Sequence, residues 1–292
     1  MTAVVLFGAT GFLGRQVKDR LAADSRVTQM LCPGRARLDL LAASVADVAD
    51  LLAAVRPSVV LNCVGRLSGG YDELVRGNAG VTAILIEAMA QVTPKARFVR
   101  LGSAAEYGPA RPDHSLREQD AVCPVSAYGV SHLAGTLLVE QAAAEGRLDG
   151  ASLRIFNPIG PGISGESVLG RARALLDRAV TDGLDRIDMG PLGAYRDFVD
   201  VRDVAEAVVS AGFAAELTER VFNVGSGVAV AVRDVVGLLA EESGFAGEVR
   251  ESALGSARSP AVDWSRADID RARQVLGWQP RFQLGDSVKA MV

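Results

Sequence analysis

The chain has 292 residues, 49% hydrophobic and 23% charged, and its 31 basic and 35 acidic side chains give a formal net charge of −4. A chain of this size and hydropathy can bury a core without staples, which excludes intrinsic disorder, and its slight acidity gives no electrostatic reason to bind nucleic acid. Aromatics at 5% are too few for a base-stacking surface, and the cysteines Cys32, Cys63 and Cys123 form neither a CxxC pair nor a metal-ligand spacing.

The first strand-like run is Ala3 to Phe7, short and continuously apolar like a strand buried on both faces. It begins too early to leave room for a signal peptide, and no later apolar run reaches membrane-spanning length, so a cytoplasmic protein without a membrane partner is expected. Gly8-Ala9-Thr10-Gly11-Phe12-Leu13-Gly14 follows, and Leu13, Val17 and Leu21 then recur at helical spacing, the order of a βαβ unit. Thr28 to Cys32 reads as a second strand, ended by Pro33-Gly34. Val45, Val48, Leu52 and Val55 form a helical stripe stopped by Pro57, and Val59 to Val64 is another buried strand. A helix is predicted over about Val81 to Gln91 and a second over about Tyr128 to Glu145, with strands at Arg97 to Gly102 and Ala151 to Phe156. This alternation predicts an α/β fold, a doubly wound parallel sheet of the Rossmann kind.

Near Asn157 the alternation stops. Pro158 to Gly162 is a loop, a helix is predicted from about Glu166 to Thr181, and Arg196 to Phe213 reads as strand-to-helix. Arg220 to Val224 is the last strand, and the Asp263 to Trp278 segment is given Ser265 as its N-cap. The predicted division is a dinucleotide-binding domain of 1–156 plus about 195–225, and a smaller interwoven substrate domain of about 157–194 plus 226–292.

Glycines 8, 11 and 14 follow a buried strand and open a helix, the context in which a glycine turn binds a dinucleotide. The first allows the tight turn, the second admits the pyrophosphate to the backbone, and the third lets helix and strand pack closely. Beyond Cys32 comes Pro33-Gly34-Arg35-Ala36-Arg37, with no carboxylate before Asp39. An acid there would bind both ribose hydroxyls of NAD, whereas arginine accommodates the 2′-phosphate of NADP, so Arg35 favours NADP(H) over NAD(H).

Further motifs extend along most of the chain: Gly102-Ser103-Ala104-Ala105-Glu106-Tyr107-Gly108, Tyr128 at a helix start, Asn78 within Gly77-Asn78-Ala79-Gly80, and Arg154 to Gly162 in the pattern R-x-x-N-x-x-G-P-G. Arg196-Asp197-Phe198, Phe222 to Gly227 and Leu276 to Pro280 complete the set. Together they resemble an extended short-chain dehydrogenase/reductase of the NAD(P)-dependent epimerase/dehydratase group, most like the nucleotide-sugar 4-ketoreductases. The resemblance implies cofactor contacts at Gly8, Thr10, Gly11, Phe12, Leu13, Gly14, Arg35, Asp39, Leu40, Cys63, Val64, Gly65, Tyr128 and His132. It implies catalytic roles for Ser103, Tyr128 and His132, a structural role for Asn78, and substrate diphosphate contacts at Asn157, Arg196 and Arg258. A homodimer built on the helices near 81–91 and 129–145 is expected on the same ground.

The chemistry follows from residue types. Hydride arriving at a ketone leaves an alkoxide that must be protonated, and a tyrosine supplies that proton if its pKa is lowered from about 10. A serine hydroxyl at a strand end can bond the same oxygen. The departure from the family pattern Y-x-x-x-K is Tyr128-Gly129-Val130-Ser131-His132, which puts an imidazole on the helical face where the lysine would stand. Histidine is largely neutral at pH 7 unless its surroundings raise its pKa, and three readings follow: a working reductase with a histidine variant, a slower enzyme, or a redox-silent NADP-binding protein.

Ala104 and Ala105 stand where sugar-nucleotide dehydratases carry an acid, and Glu106, read as the next strand residue, points to the opposite face. Dehydration is thereby disfavoured. The expected activity is NADPH-dependent reduction of a nucleoside-diphosphate-linked 4-keto-6-deoxyhexose to the 4-hydroxy sugar, with a 4-epimerase as the alternative.

Overall fold

The computed structural model describes residues 2–251 and 262–292. Its centre is a parallel sheet of six strands in the order β10-β5-β4-β3-β1-β2. In chain order the first half runs β1 (Thr2–Phe7), α1 (Phe12–Ala22), β2 (Val27–Leu31), α2 (Val45–Val55), β3 (Val59–Asn62), α3 (Tyr71–Val75), α4 (Val81–Val92), β4 (Arg97–Ser103), α5 (Ala127–Ala144) and β5 (Asp149–Ile155). The second half runs β6 (Pro158–Ile159), α6 (Val168–Asp182), β7 (Arg186–Met189), β8 (Tyr195–Asp197), β9 (Val199–Asp200), α7 (Val201–Phe213), β10 (Val221–Val224), β11 (Ala229–Ala231), α8 (Val232–Glu242), β12 (Glu248–Glu251), α9 (Asp270–Leu276) and α10 (Leu284–Lys289). Among the described residues no helix is long and apolar enough to cross a membrane.

The sheet is covered on both faces, as its apolar strands require. On one side Val4, Leu6, Leu61, Val99 and Leu153 pack under α1 and α7; on the other Val5, Phe7, Val60 and Phe98 pack under α2, α4 and α5. A third core joins α6, α8, β7 and α10 through Leu176, Ile187, Val236 and Val288, apart from the central sheet. Strand β1 lies between β2 and β3, so the order of connection reverses there, and the crevice above the carboxyl ends of such strands is where open α/β sheets bind ligands.

Element ends agree with the sequence reading to one or two residues for most helices, including α2 and α5, whose N-caps Ser44 and Ser126 accept from the backbone N–H groups of Asp47 and Gly129. The last segment differs. Ser265 does not cap a helix; it is buried, and its N–H donates to the Tyr195 carbonyl at 3.1 Å, so it lies extended against β8. The helix begins only at Asp270, with Ile269 at the N-cap position. Local preference for a cap loses there to the long-range pairing.

Candidate active site

Strands β1 and β3 are paired through Phe7 and Asn62, which places Gly8 beside Cys63 at the carboxyl edge. A Cβ on Gly8, whose φ is +78°, would stand 2.7 Å from the Cys63 carbonyl carbon, and one on Gly14 would stand 2.0 Å from the Gly8 carbonyl oxygen. Glycine is therefore obligatory at both positions. Gly11 is looser, with only the Gly8 oxygen at 3.4 Å, and it opens α1 without a side-chain cap or an acid in the first turn. Amide donors at a helix start, no carboxylate, and a cradle that any Cβ would fill form a donor set that fits a dinucleotide pyrophosphate. Thr10 is exposed, and Phe12 and Leu13 are half-buried at the mouth of the turn. We expect Gly14→Ala to push α1 off the sheet and weaken dinucleotide binding about tenfold, the equivalent of ~1.4 kcal/mol, by titration of a protein whose circular dichroism is unchanged. Parental affinity in Gly14→Ala would mean that this close approach is not needed.

Around the cradle, Arg35 is exposed on the turn after β2, Asp39 accepts from the Leu41 N–H at 3.1 Å, and Leu40 is buried in the core beneath. Cys63 and Val64 are half-buried at the end of β3 and Gly65 is exposed. Asn78 ties this loop to α5. Its Oδ1 accepts from the Arg66 N–H at 2.7 Å, and its Nδ2 donates to the Arg66 carbonyl at 3.1 Å and to the Ser131 hydroxyl at 2.9 Å. A π-helical turn over Arg76–Gly80, between α3 and α4, carries Asn78 into this position. Arg66 pairs with Glu73 at 3.1 Å, and Tyr71 is exposed.

Ser103 is the last residue of β4, and the chain then turns through the single 3-10 turn Ala104–Glu106. The Ser103 hydroxyl accepts from the Ala105 N–H at 3.2 Å. A Cβ on Gly129 would lie 2.4 Å from the Ala105 carbonyl oxygen, so the start of α5, which carries half-buried Tyr128, packs directly on this turn. A second tyrosine is close in sequence but unsuited to proton transfer. Tyr107 is buried, its hydroxyl donates to Asn223 at 2.7 Å, and burial pushes its pKa up to about 12.

Glu106 requires a correction. It does not continue a strand; it folds beneath the turn, fully buried, and accepts from the Ser103 N–H at 3.0 Å, from the Thr136 hydroxyl at 3.0 Å and from Arg154 Nε at 2.9 Å. Its carboxylate is thus committed to the interior by turn geometry rather than strand alternation, and only Ala104 and Ala105 follow the serine at the surface of the turn.

The structure decides the charge of His132, which residue type alone leaves open. It is buried four residues after Tyr128, with the two rings 4.5 Å apart, and Arg100 Nη2 lies 3.4 Å from its Nδ1. Burial, and secondarily the Arg100 cation, hold its pKa well below the ordinary 6.5, so the imidazole is neutral and is not the charged partner of Tyr128. A lysine at 132 would lie against the same guanidinium, so His132→Lys in the parent would set two cations side by side. Because arginine only donates, Nδ1 is the acceptor and the ring proton resides on Nε2.

The depressed histidine has a stability consequence. Below about pH 6.5 the unfolded chain binds a proton that folded His132 does not, so this residue lowers stability as pH falls from 6.5 and has no effect above it. The unfolding free energy of the parent, measured by urea titration, should therefore fall more steeply below pH 6.5 than that of His132→Gln, by up to ~1.4 kcal/mol per pH unit. Parallel curves would show that His132 is protonated in the fold.

On the substrate side, Asn157 Nδ2 donates to the Asp197 carbonyl at 2.8 Å, and Arg196 is half-buried with its guanidinium on the carbonyls of Tyr195 and Val262 at 2.8 and 2.6 Å. Arg258 lies outside the described residues. Asp197, next to Arg196, is buried and accepts from the N–H groups of Ser226, Gly227 and Ala267, joining β8 to the loops after β10 and before α9. Sequence motifs gave no sign of Arg100; the available signal was a charged residue in the middle of the strand run Phe98-Val99-Arg100-Leu101.

A glycine cradle above a sheet switch point, with the start of α5 packed on the turn after Ser103, is the arrangement of the dinucleotide-dependent Rossmann class. Residues 4–225 match the NAD dependent epimerase/dehydratase family, and the chain belongs to that family. It is 38% identical over 299 residues to a dTDP-6-deoxy-L-talose 4-dehydrogenase (NAD(P)(+)) of Kitasatospora kifunensis, covering 99% of this chain and 94% of that one. It is 28% identical over 300 residues to a GDP-6-deoxy-D-mannose reductase of Pseudomonas aeruginosa, covering 98% and 94%. The fold matches the solved structure of RMD from Pseudomonas aeruginosa complexed with NADPH with a TM-score of 0.87 at 24% identity, over 99% of this chain and 97% of the other.

Proposed function

We propose that this enzyme reduces the 4-keto group of a nucleoside-diphosphate-linked 6-deoxyhexose to the 4-hydroxyl, with NADPH as the reductant. The observation that carries the reading is the packing of the Tyr128 helix start on the turn that follows Ser103, with alanines where a dehydratase needs acids. When bound, the dinucleotide supplies the hydride. The chain's own residues do the rest. Ser103 positions the carbonyl oxygen through its hydroxyl, and Tyr128 delivers its phenolic proton to that oxygen as charge develops there. Neutral His132, a donor at Nε2, is assigned to a cofactor ribose hydroxyl. Gly8, Thr10, Gly11, Phe12, Leu13 and Gly14 hold the pyrophosphate, and Asp39, Leu40, Cys63, Val64 and Gly65 border the adenine and nicotinamide halves. Asn157, Arg196 and Arg258 serve the substrate diphosphate in a lobe of about 157–194 plus 226–292. The 6-deoxyhexose class and the C4 position are supported by the 38% identical dTDP-6-deoxy-L-talose 4-dehydrogenase (NAD(P)(+)), whose name states the reverse, oxidising direction of the same type of step.

Mixing the protein with NADPH and a set of nucleotide-linked 4-keto-6-deoxyhexoses should consume reduced nicotinamide and yield the 4-hydroxy sugar. Interconversion of two 4-hydroxy sugars with no net oxidation of NADPH would identify an epimerase instead, and dinucleotide binding without either reaction would identify a redox-silent protein. For the cofactor, exposed Arg35 on the turn after β2 and the absence of an acid between it and β2 support NADP(H). Arg35→Ala should weaken NADPH about tenfold and leave NADH unchanged, the worth of one charge-assisted contact. Equal affinity of the parent for both dinucleotides would remove Arg35 from this role.

The assembly we propose is a homodimer. Val130 and Leu137, one face of α5, are 50% and 52% exposed, and Val75 on α3 is 48% exposed. Leu137→Asp should convert the dimer to monomer in sedimentation velocity; a parental protein that sediments as a monomer would refute it.

A further inference from the structure

We propose that Arg100, outside every motif above, is a positioning residue that supplies the fixed positive charge for Tyr128, with neutral His132 as the spacer between them. The proposal rests on the oxidoreductase reading of the site.

Arg100 sits in the middle of β4 and is 1% exposed. Its Nη1 donates to the His132 carbonyl at 3.2 Å, the Thr136 hydroxyl at 2.9 Å and the Ser152 hydroxyl at 3.0 Å, while Nη2 reaches His132 Nδ1 at 3.4 Å. Its Nε is buried without a partner. Every one of these acceptors is neutral. A buried cation loses several kcal/mol of hydration, and an arginine present only for packing would be matched with an acid. The neighbouring Arg154 is so matched, paired with Glu106 at 2.9 Å. Glu106 meets Arg100 only through the Thr136 hydroxyl, which bonds both. Arg154 has Glu106 against it and the half-buried Glu140 as a further counter-charge, whereas Arg100 pairs directly with no carboxylate.

The Arg100 charge faces α5. The ionisable groups around it are Glu106 and Arg154 from below and Tyr128 and His132 on α5; burial disfavours the Arg100 cation, and attraction to Glu106 and then Tyr128 offsets part of that cost. Arginine keeps its proton across any working pH, so the field is constant. Helix α5 is also shaped for it. A Cβ on Gly135 would lie 2.8 Å from Arg100 Cζ and Nη2, so a glycine is kept inside a helix, at roughly 0.5–1 kcal/mol relative to alanine, where the guanidinium enters.

In the reducing direction the Tyr128 O–H bond breaks, the proton passes to the oxygen of the sugar carbon being reduced, and the electron pair stays on the phenolate oxygen. Water returns a proton before the next turnover. Phenolate is the form that a nearby cation favours, so Arg100 lowers the Tyr128 pKa, and its N–H on Nδ1 fixes the His132 tautomer.

The test reads Tyr128 without substrate. Ultraviolet difference titration of the four tyrosines, with Tyr128→Phe as the subtracted reference, gives the Tyr128 pKa directly. Arg100→Met should raise it by about one unit and move the alkaline limb of the kcat–pH profile by the same amount. Arg100→Lys should restore most of the shift. So should His132→Lys introduced into the Arg100→Met protein, since α5 then returns the cation. Gly135→Ala, which presses a methyl on the guanidinium, should give a smaller shift in the same direction and serves if Arg100→Met does not fold. An unchanged Tyr128 pKa in a folded Arg100→Met or Gly135→Ala protein overturns the proposal. If the parent turns over no nucleotide-linked keto sugar while the tyrosine shift is seen, the reaction assignment fails and the role of Arg100 stands.

Discussion

Tyr128→Phe is expected to lower kcat by about two to four orders of magnitude while changing dinucleotide affinity by less than about twofold, because it removes one hydroxyl and keeps the ring packing. Among the described residues near Ser103, Tyr107, Glu106, Ala104 and Ala105 are not ready replacement donors. Tyr107 is buried with its pKa near 12 and its hydroxyl on Asn223, Glu106 is held inside by three donors, and Ala104 and Ala105 carry no proton. Neutral His132 keeps its ring beside Tyr128, so ring stacking survives the substitution. Steady-state kinetics and an equilibrium dinucleotide titration on the same preparation check this. If most of the turnover survives, proton delivery passes through another group; if binding collapses with activity, the phenol is a ribose contact rather than the acid.

The second large effect is on folding. Glu106→Ala should cost about 3–5 kcal/mol of unfolding free energy, the usual result of removing one partner from a buried pair. Arg154 is 4% exposed at the side chain and Glu106 0%, and the lost carboxylate also leaves the Ser103 N–H and the Thr136 hydroxyl without their acceptor. Arg154 would retain the Tyr107 face, 4.6 Å from its guanidinium, and the Glu118 carbonyl at 3.2 Å, which hold its plane but do not neutralise it. Arg100, already short of negative charge, would be further destabilised in the same cluster. Urea unfolding measures the loss, and Glu106→Leu combined with Arg154→Met should lose less than Glu106→Ala alone, since no orphan charge from the pair remains. A loss below about 1 kcal/mol in Glu106→Ala would mean that water or another group replaces the carboxylate.

Most of the architecture is written in local pattern. Continuous apolar runs at Ala3–Phe7 and Val59–Leu61 specify strands buried on both faces, and their alternation with helical stripes leaves a parallel sheet as the arrangement that covers both sides. The glycine spacing at 8, 11 and 14 is equally local in origin, since each position answers to atoms within the same strand–turn–helix unit or the adjacent β3 end. Ser103 and Tyr128 lie at a strand end and a helix start, the places that local pattern predicts for them.

What sequence could not decide are matters of burial and of long-range neighbours. Ser265 has the composition of an N-cap, yet the partner of its N–H is Tyr195, seventy positions away in the chain, and that pairing outweighs a cap of about 1 kcal/mol. Glu106 looked like a strand residue until the turn after Ser103 folded it inward onto Arg154 and Thr136. The charge of His132 was open in the sequence because an imidazole of pKa near 6.5 takes its state from its surroundings. Burial and the adjacent Arg100 decide it as neutral. Arg100 itself reads as one more arginine in the chain. Only the packing of β4 against α5 reveals that its charge lies inside, near the tyrosine, because electrostatic influence depends on distance and desolvation, which residue order does not encode.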